Sequence, residues 1–111
     1  MTKERRNHPR VRASHPVCFF TNSYPRSRLT KIVDLSMGGT AIETPYSLIT
    51  GQVIELSIAI QPKVIKCTGQ VVHILWSGGE RPKAGIRFEK LSKHDRYYLG
   101  EYIARLIEQR D

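Results

Sequence analysis

Val53-Ile54-Glu55-Leu56-Ser57-Ile58-Ala59-Ile60 decides the fold class, because its apolar side chains recur at every second position. Ile54, Leu56, Ile58 and Ile60 share one face and Glu55 and Ser57 the other, the period of a strand with one side in a core and one in water. Working outward, the same period dominates the chain. Upstream, Pro16 to Phe20 is a short apolar run, Leu29 to Leu35 alternates with Ile32 directed inward, and Thr40 to Thr44 follows the turn at Ser36 to Gly39. Downstream, Lys63 to Trp76 is a long β-rich stretch in which Gly69 marks a bulge or bend. After the loop at Ser77-Gly78-Gly79-Glu80, Ile86 and Phe88 point inward from a last strand.

Only the C-terminus changes period. Leu99, Tyr102, Ile103, Leu106 and Ile107 form one helical stripe, and Ser92 with Asp95 resembles a capping box in which Asp replaces Glu. Gly100 inside this helix costs about 1 kcal/mol relative to alanine, so burial against the barrel's open end has to hold the helix in place. The expected fold is mainly β: a small six-stranded antiparallel Greek-key barrel with a C-terminal α-helix.

The length of 111 residues suits one domain, and 40% hydrophobic with 25% charged residues is ordinary for a globular chain. The longest apolar stretch, Val53 to Ile60, is interrupted by Glu55 and Ser57 and falls far short of a membrane span; a cytoplasmic location is expected. Cys18 and Cys67 lie in strand-like segments without C-x-x-C spacing and read as small buried apolar side chains rather than a disulfide. His8, His15, His73 and His94 are scattered, without metal-ligand spacing. No G-x-S-x-G elbow surrounds Ser36, and no glycine-rich loop ends in Gly-Lys-Ser/Thr. No catalytic residue, metal or cofactor is therefore assigned, and a noncatalytic module is expected.

The formal net charge is +8, and Lys3, Arg5, Arg6, Arg10 and Arg12 face only Glu4 in the opening segment. Residues 1–12 read as a flexible basic tail suited to an anion, and residues 13–111 as the barrel with its helix. The tail contains Arg6-Asn7-His8-Pro9-Arg10, and the turn contains Asp34-Leu35-Ser36-Met37-Gly38-Gly39. Guanidinium groups bond bidentately to phosphate or to the O6/N7 edge of guanine, and a carboxylate accepts the base's N1 and N2 donors. Ser36 can give or accept one bond, and Gly39 permits a sharp turn or a close approach.

R-x-x-x-R followed by D-x-S-x-x-G resembles the paired signature of PilZ domains, bacterial receptors for cyclic di-GMP. The likeness runs from Glu4 to the end of the chain and includes Gly85-Ile86-Arg87-Phe88, which is similar to the strand that closes the family's barrel. The resemblance implies the split-barrel fold, cyclic di-GMP as ligand, and Arg6, Arg10, Asp34, Ser36 and Gly39 as its binding residues. It also implies that the tail wraps over the ligand and orders, changing the surface offered to a downstream protein partner, which the sequence does not name. Arg5 is expected to favour two ligands per chain, with Gly38, Arg12 and Trp76 as further secondary contacts. Two other readings stay open. One is a small basic barrel that binds single-stranded nucleic acid through Tyr24, Trp76 and the arginines, against which Asp34 would repel a polyanion. The other is a nucleotide-independent adaptor that contacts a protein through the barrel or the Tyr97-Tyr98 edge of the helix.

Overall fold

The computed structural model describes residues 9–22, 27–44, 47–76 and 81–109. Their strands are β1 (Val11–Phe20), β2 (Arg28–Leu35), β3 (Gly39–Glu43), β4 (Val53–Ile60), β5 (Lys63–Leu75) and β6 (Lys83–Leu91), followed by the helix α1 (Lys93–Gln109). The strands close a barrel in the order β1-β2-β3-β6-β5-β4, each neighbouring pair antiparallel. After the β1-β2-β3 meander the chain crosses to place β4 beside β1, the Greek-key step expected from the sequence. Closure leaves no free sheet edge.

Alternation fills the interior. Ile54, Leu56, Ile58 and Ile60 of β4 meet Val17, Phe19, Ile32, Ile42, Ile65, Val71 and Ile86 in one buried cluster. The bend expected at Gly69 coincides with a register shift between Thr68 and Gly69 where β5 pairs with β6. Phe88 is only half-buried, against the rim of the cluster.

Two expectations need correction. Strand β1 begins at Val11, which is buried, and Arg12 lies opposite Asp34 of β2, so residues 11 and 12 belong to the barrel and not to the tail. A register shift between Arg12 and His15 interrupts the apolar period there, which hides this part of the strand from a period-two reading. Cys18 is exposed, because the alternation that buries Val17 and Phe19 turns it outward, whereas Cys67 is buried and both thiols are free. Burial first, and the charge of Asp95 second, push the Cys67 thiol up to about 12.

Helix α1 is tied down by hydrogen bonds as well as by buried Leu99 and Ile103. The Asp95 N–H donates to Ser92 Oγ at 3.1 Å, the cap expected from the sequence. The Asp95 carboxylate does not return the bond; it accepts the backbone N–H of Lys66 at 3.2 Å and so pins the helix start to β5. The Tyr98 hydroxyl lies 2.9 and 3.0 Å from the carbonyl oxygens of Ile60 and Gln61, at the β4–β5 hairpin. His15 Nε2 and the Tyr102 hydroxyl are hydrogen-bonded at 2.6 Å, joining α1 to β1. Burial lowers the His15 pKa, and burial followed by the neighbouring Tyr98 raises that of Tyr102, so both remain neutral partners near neutral pH.

Two outcomes follow from this packing. At Gly100 a Cβ would meet Met37 Sδ at 3.7 Å, an ordinary contact. Gly100→Ala should therefore raise stability in urea titration by about 0.5–1 kcal/mol, the helical penalty of glycine. In alkylation of the folded protein at mildly alkaline pH, Cys18 should react while Cys67 stays protected. Folded Cys67 keeps its proton up to about 12 against an ordinary value of 9.0, so its contribution to stability is lost as pH rises across that interval.

Candidate ligand site

The site begins with an irregularity in β2. Between Ile32 and Asp34 the pairing with β3 shifts register, so that Ile32 and Leu35, three positions apart, both reach the core. The Asp34 side chain is left at the surface, 28% exposed beside an Arg10 that is 27% exposed. Asp34 Oδ1 accepts the Ala41 N–H at 3.1 Å and the Arg10 Nη1 donor at 2.6 Å. The Asp34 carbonyl accepts the Thr40 hydroxyl at 2.6 Å. Arg10 of the first motif and Asp34 of the second are thus in direct contact across 24 positions of sequence. Oδ2 has no hydrogen-bond partner among the described residues.

Ser36 is placed differently from Asp34. Strand β2 ends at Leu35, so alternation no longer carries Ser36 to the face of Asp34; it is buried at 3% exposure. Its Oγ accepts the N–H groups of Gly38 and Gly39 at 3.1 Å each, and it donates to the Gly39 carbonyl at 3.2 Å. Its own N–H also donates to that carbonyl, at 2.9 Å. Ser36 therefore shapes the turn by satisfying backbone groups. The glycines splice this turn onto β6: the Gly38 carbonyl accepts the Phe88 N–H at 2.9 Å, and a Cβ on Gly39 would run into the Ile86 carbonyl oxygen.

Beyond Asp34 the pairings align one transverse row. Arg12 lies opposite Asp34, Asp34 opposite Ala41, Ala41 opposite Gly85, and Gly85 opposite His73. Ile42, Ala84 and Ile86 occupy the core, so Ala41 and Gly85 belong to the outer face. At about 4.8 Å per strand, Asp34 and His73 are separated by about 14 Å across a floor of small residues. Beside the floor, Arg87 is held by Gln70 at 2.6 Å and by Glu89 at 3.3 Å, and Lys31 approaches Glu43 at 3.8 Å.

Among the remaining residues named from sequence, Arg12 is in this row and Gly38 is in the turn. Trp76 follows the end of β5, is 72% exposed, and belongs to neither the core nor this row. Arg5, Arg6 and Tyr24 lie outside the described residues. His73 was not named as a site residue. A second register shift between Val71 and His73 turns it from the inward parity of Val71 to the outer face, and a period-two reading carries no signal of that shift. Among the described residues, no three His, Cys, Asp or Glu side chains are grouped to hold a metal ion, and no helix is long and apolar enough to cross a membrane.

The PilZ domain family matches residues 4–105, which include both motifs and the row. The chain belongs to the PilZ domain family. Solved structures share its fold. The Bacillus subtilis inhibitor of motility MotI/DgrA superposes with a TM-score of 0.86 at 21% identity, over 98% of this chain and 55% of that one. The PilZ domain of YcgR from Escherichia coli, solved with c-di-GMP, gives 0.73 at 20% identity over 96% of this chain and 95% of that one. The K. pneumonia MrkH–c-di-GMP complex gives 0.78 at 18% identity over 97% and 55%. This PilZ domain thus spans about half the length of MotI and MrkH. No match was found among curated proteins.

The turn geometry makes a stability prediction for this PilZ domain. Gly39→Ala forces backbone against backbone, which flexible side chains cannot relieve, and should destabilise the fold by about 1–3 kcal/mol in urea titration. An unchanged midpoint would contradict the close β3–β6 approach.

Proposed function

We propose that this PilZ domain is a noncatalytic, cytoplasmic receptor for cyclic di-GMP, bound on the outer face between the N-terminal arginines and Asp34. The observation that carries the reading is the Arg10–Asp34 contact, which joins a guanidinium and a carboxylate from the two motifs at one surface point. Both groups are partly solvated, and such a pair contributes about 0–1 kcal/mol, so a ligand can exchange it cheaply for bonds of its own. Arg10 then turns to a phosphate or to a guanine O6/N7 edge, and Asp34 accepts the base's N1 and N2 donors. The structures with c-di-GMP in their titles, YcgR and MrkH, have the same barrel and support the choice of ligand.

In this reading the tail that carries Arg6 orders over the ligand, and the changed surface signals to a downstream protein partner. Ordering costs about 1–2 kcal/mol of backbone entropy per residue, which charge-assisted bonds to two phosphates and two bases offset. Arg5 supplies the further guanidinium for a second ligand, so saturation is expected at two ligands per chain. Gly39 and Ser36 serve binding by holding the turn, and Arg12 adds positive charge next to Asp34.

Isothermal titration checks the proposal. Cyclic di-GMP should bind wild type, GMP much more weakly, and a single-stranded oligonucleotide at matched salt no better than GMP. Arg10→Ala should lose at least about tenfold in cyclic di-GMP affinity, corresponding to the about 1.5 kcal/mol of a charged hydrogen bond. Wild-type affinity in that variant, or tighter binding in Asp34→Ala, would contradict the assignment.

A further inference from the structure

The exposed apolar side chains of this domain gather at one end of the barrel. Strands β1, β3 and β5 run toward that end and β2, β4 and β6 leave it, while helix α1 and the Ser36 to Gly39 turn lie at the other. Phe20 closes β1, Leu29 is the second residue of β2, Val53 opens β4, Leu75 closes β5 and Trp76 follows it. Ile49 lies in the connection that leads into β4. Among the described residues, the other large apolar side chains so exposed are Val64, near the start of β5, and Tyr97 on α1. Apolar side chains scattered singly over a surface are ordinary; a group at one end is not.

The backbone fixes these tips in place. The Ile49 N–H donates to Gln52 Oε1 at 3.0 Å, and the Ile49 carbonyl accepts the Gln52 N–H at 3.0 Å, closing a turn. Gly51, with φ of 94°, supplies the left-handed residue of that turn, and its N–H donates to the Val71 carbonyl at 2.7 Å, tying the turn to β5. The Thr44 N–H donates to the Pro82 carbonyl at 2.9 Å, which brings the connection after β3 against the one before β6. Ile49 is thereby held 68% exposed, beside a barrel end where Leu75 is 54% and Trp76 72% exposed.

Charge says what such an end fits. Arg28 opens β2, Lys83 opens β6 and Arg81 stands just before it. The carboxylates at this end among the described residues are Glu43, which Lys31 approaches at 3.8 Å, and Glu55. The whole chain carries +8. An aromatic and aliphatic tip set among cations matches a surface that is anionic outside and apolar beneath. Lipid phosphates attract arginine and lysine, and tryptophan prefers the headgroup layer, where its ring is in apolar surroundings and its N–H is still solvated.

We propose that this end of the barrel docks on an anionic lipid surface, with Ile49, Leu75 and Trp76 entering the headgroup layer and Arg81 and Lys83 meeting lipid phosphates. The domain then lies on the membrane without crossing it, held by a few side chains and readily released. The contact uses neither Arg10 nor Asp34 and does not rest on the nucleotide reading.

Trp76 is the chain's one tryptophan, so its emission reports on the docking tip itself. The protein is mixed with vesicles of phosphatidylcholine and phosphatidylglycerol, and separately with vesicles of phosphatidylcholine alone. With the anionic vesicles it should co-sediment, its emission should move to the blue, and acrylamide should quench it less; with the neutral vesicles each effect should be much weaker. Ile49→Ser and Leu75→Ser should each lower affinity for the anionic vesicles at least about fivefold, by loss of buried apolar groups. Their thermal midpoints should match wild type, since both side chains are exposed, and Tyr97→Ser, on the helix, should bind vesicles as wild type does. Co-sedimentation without a change in Trp76 emission would overturn the proposal, because charge alone would then bring the protein to the vesicles. Wild-type affinity in both Ile49→Ser and Leu75→Ser would overturn it as well. A blue shift that needs no vesicles and grows with protein concentration would also overturn it, assigning this end to contact with a second copy of the chain.

Discussion

A single carboxylate oxygen connects the fold to its site. Asp34 Oδ1 accepts the backbone N–H of Ala41 and the guanidinium of Arg10, so it completes the β2–β3 ladder and captures the residue just before β1. It can do both because the register shift in β2 removes Asp34 from ordinary alternation. A regular strand would have Ile32 and Asp34 on the same side, placing a carboxylate in the core, where an unpaired charge is costly. The irregularity therefore settles both side chains at once: Leu35 is returned to the interior, and Asp34 to the surface.

The turn that follows has its own internal logic. Ser36 spends its hydrogen-bonding capacity on Gly38 and Gly39, and those glycines bring the turn against β6. Met37, between Ser36 and Gly38, packs toward Gly100 of α1. The turn beside the carboxylate is thus part of a continuous packed path from outer face to helix, and the helix in turn is pinned to β1, β4 and β5 through Tyr102, Tyr98 and Asp95. The site's geometry is built largely from backbone pairing, with side chains added at its ends.

The regular parts of this structure were legible in the sequence because they obey simple periods. Ile54 to Ile60 alternate without interruption, and Leu99 with Ile103 mark the buried face of α1. The fold class, the strand count and the family follow from such patterns and from two intact motifs. The part that was misread lies where a register shift breaks the period, at the first residues of β1, and a second shift, between Val71 and His73, left the sequence without a sign of where His73 turns. Cys18 shows a different limit. Apolar character placed it inside, whereas its position between Val17 and Phe19 leaves it only the outer face. The motifs named Arg10 and Asp34 as binding partners of a ligand; they carried no sign that the two are hydrogen-bonded to each other.

The central claim is that the ligand binds on the outer face between the N-terminal arginines and Asp34. Amide chemical-shift mapping during titration with cyclic di-GMP tests it most directly. The account predicts that Arg10, Asp34 and Ala41 shift together and saturably, while Ser57, Lys66 and Thr68, which line a separate cleft on β4 and β5, stay in place. Shifts centred on that cleft, with Arg10, Asp34 and Ala41 unmoved, would contradict it.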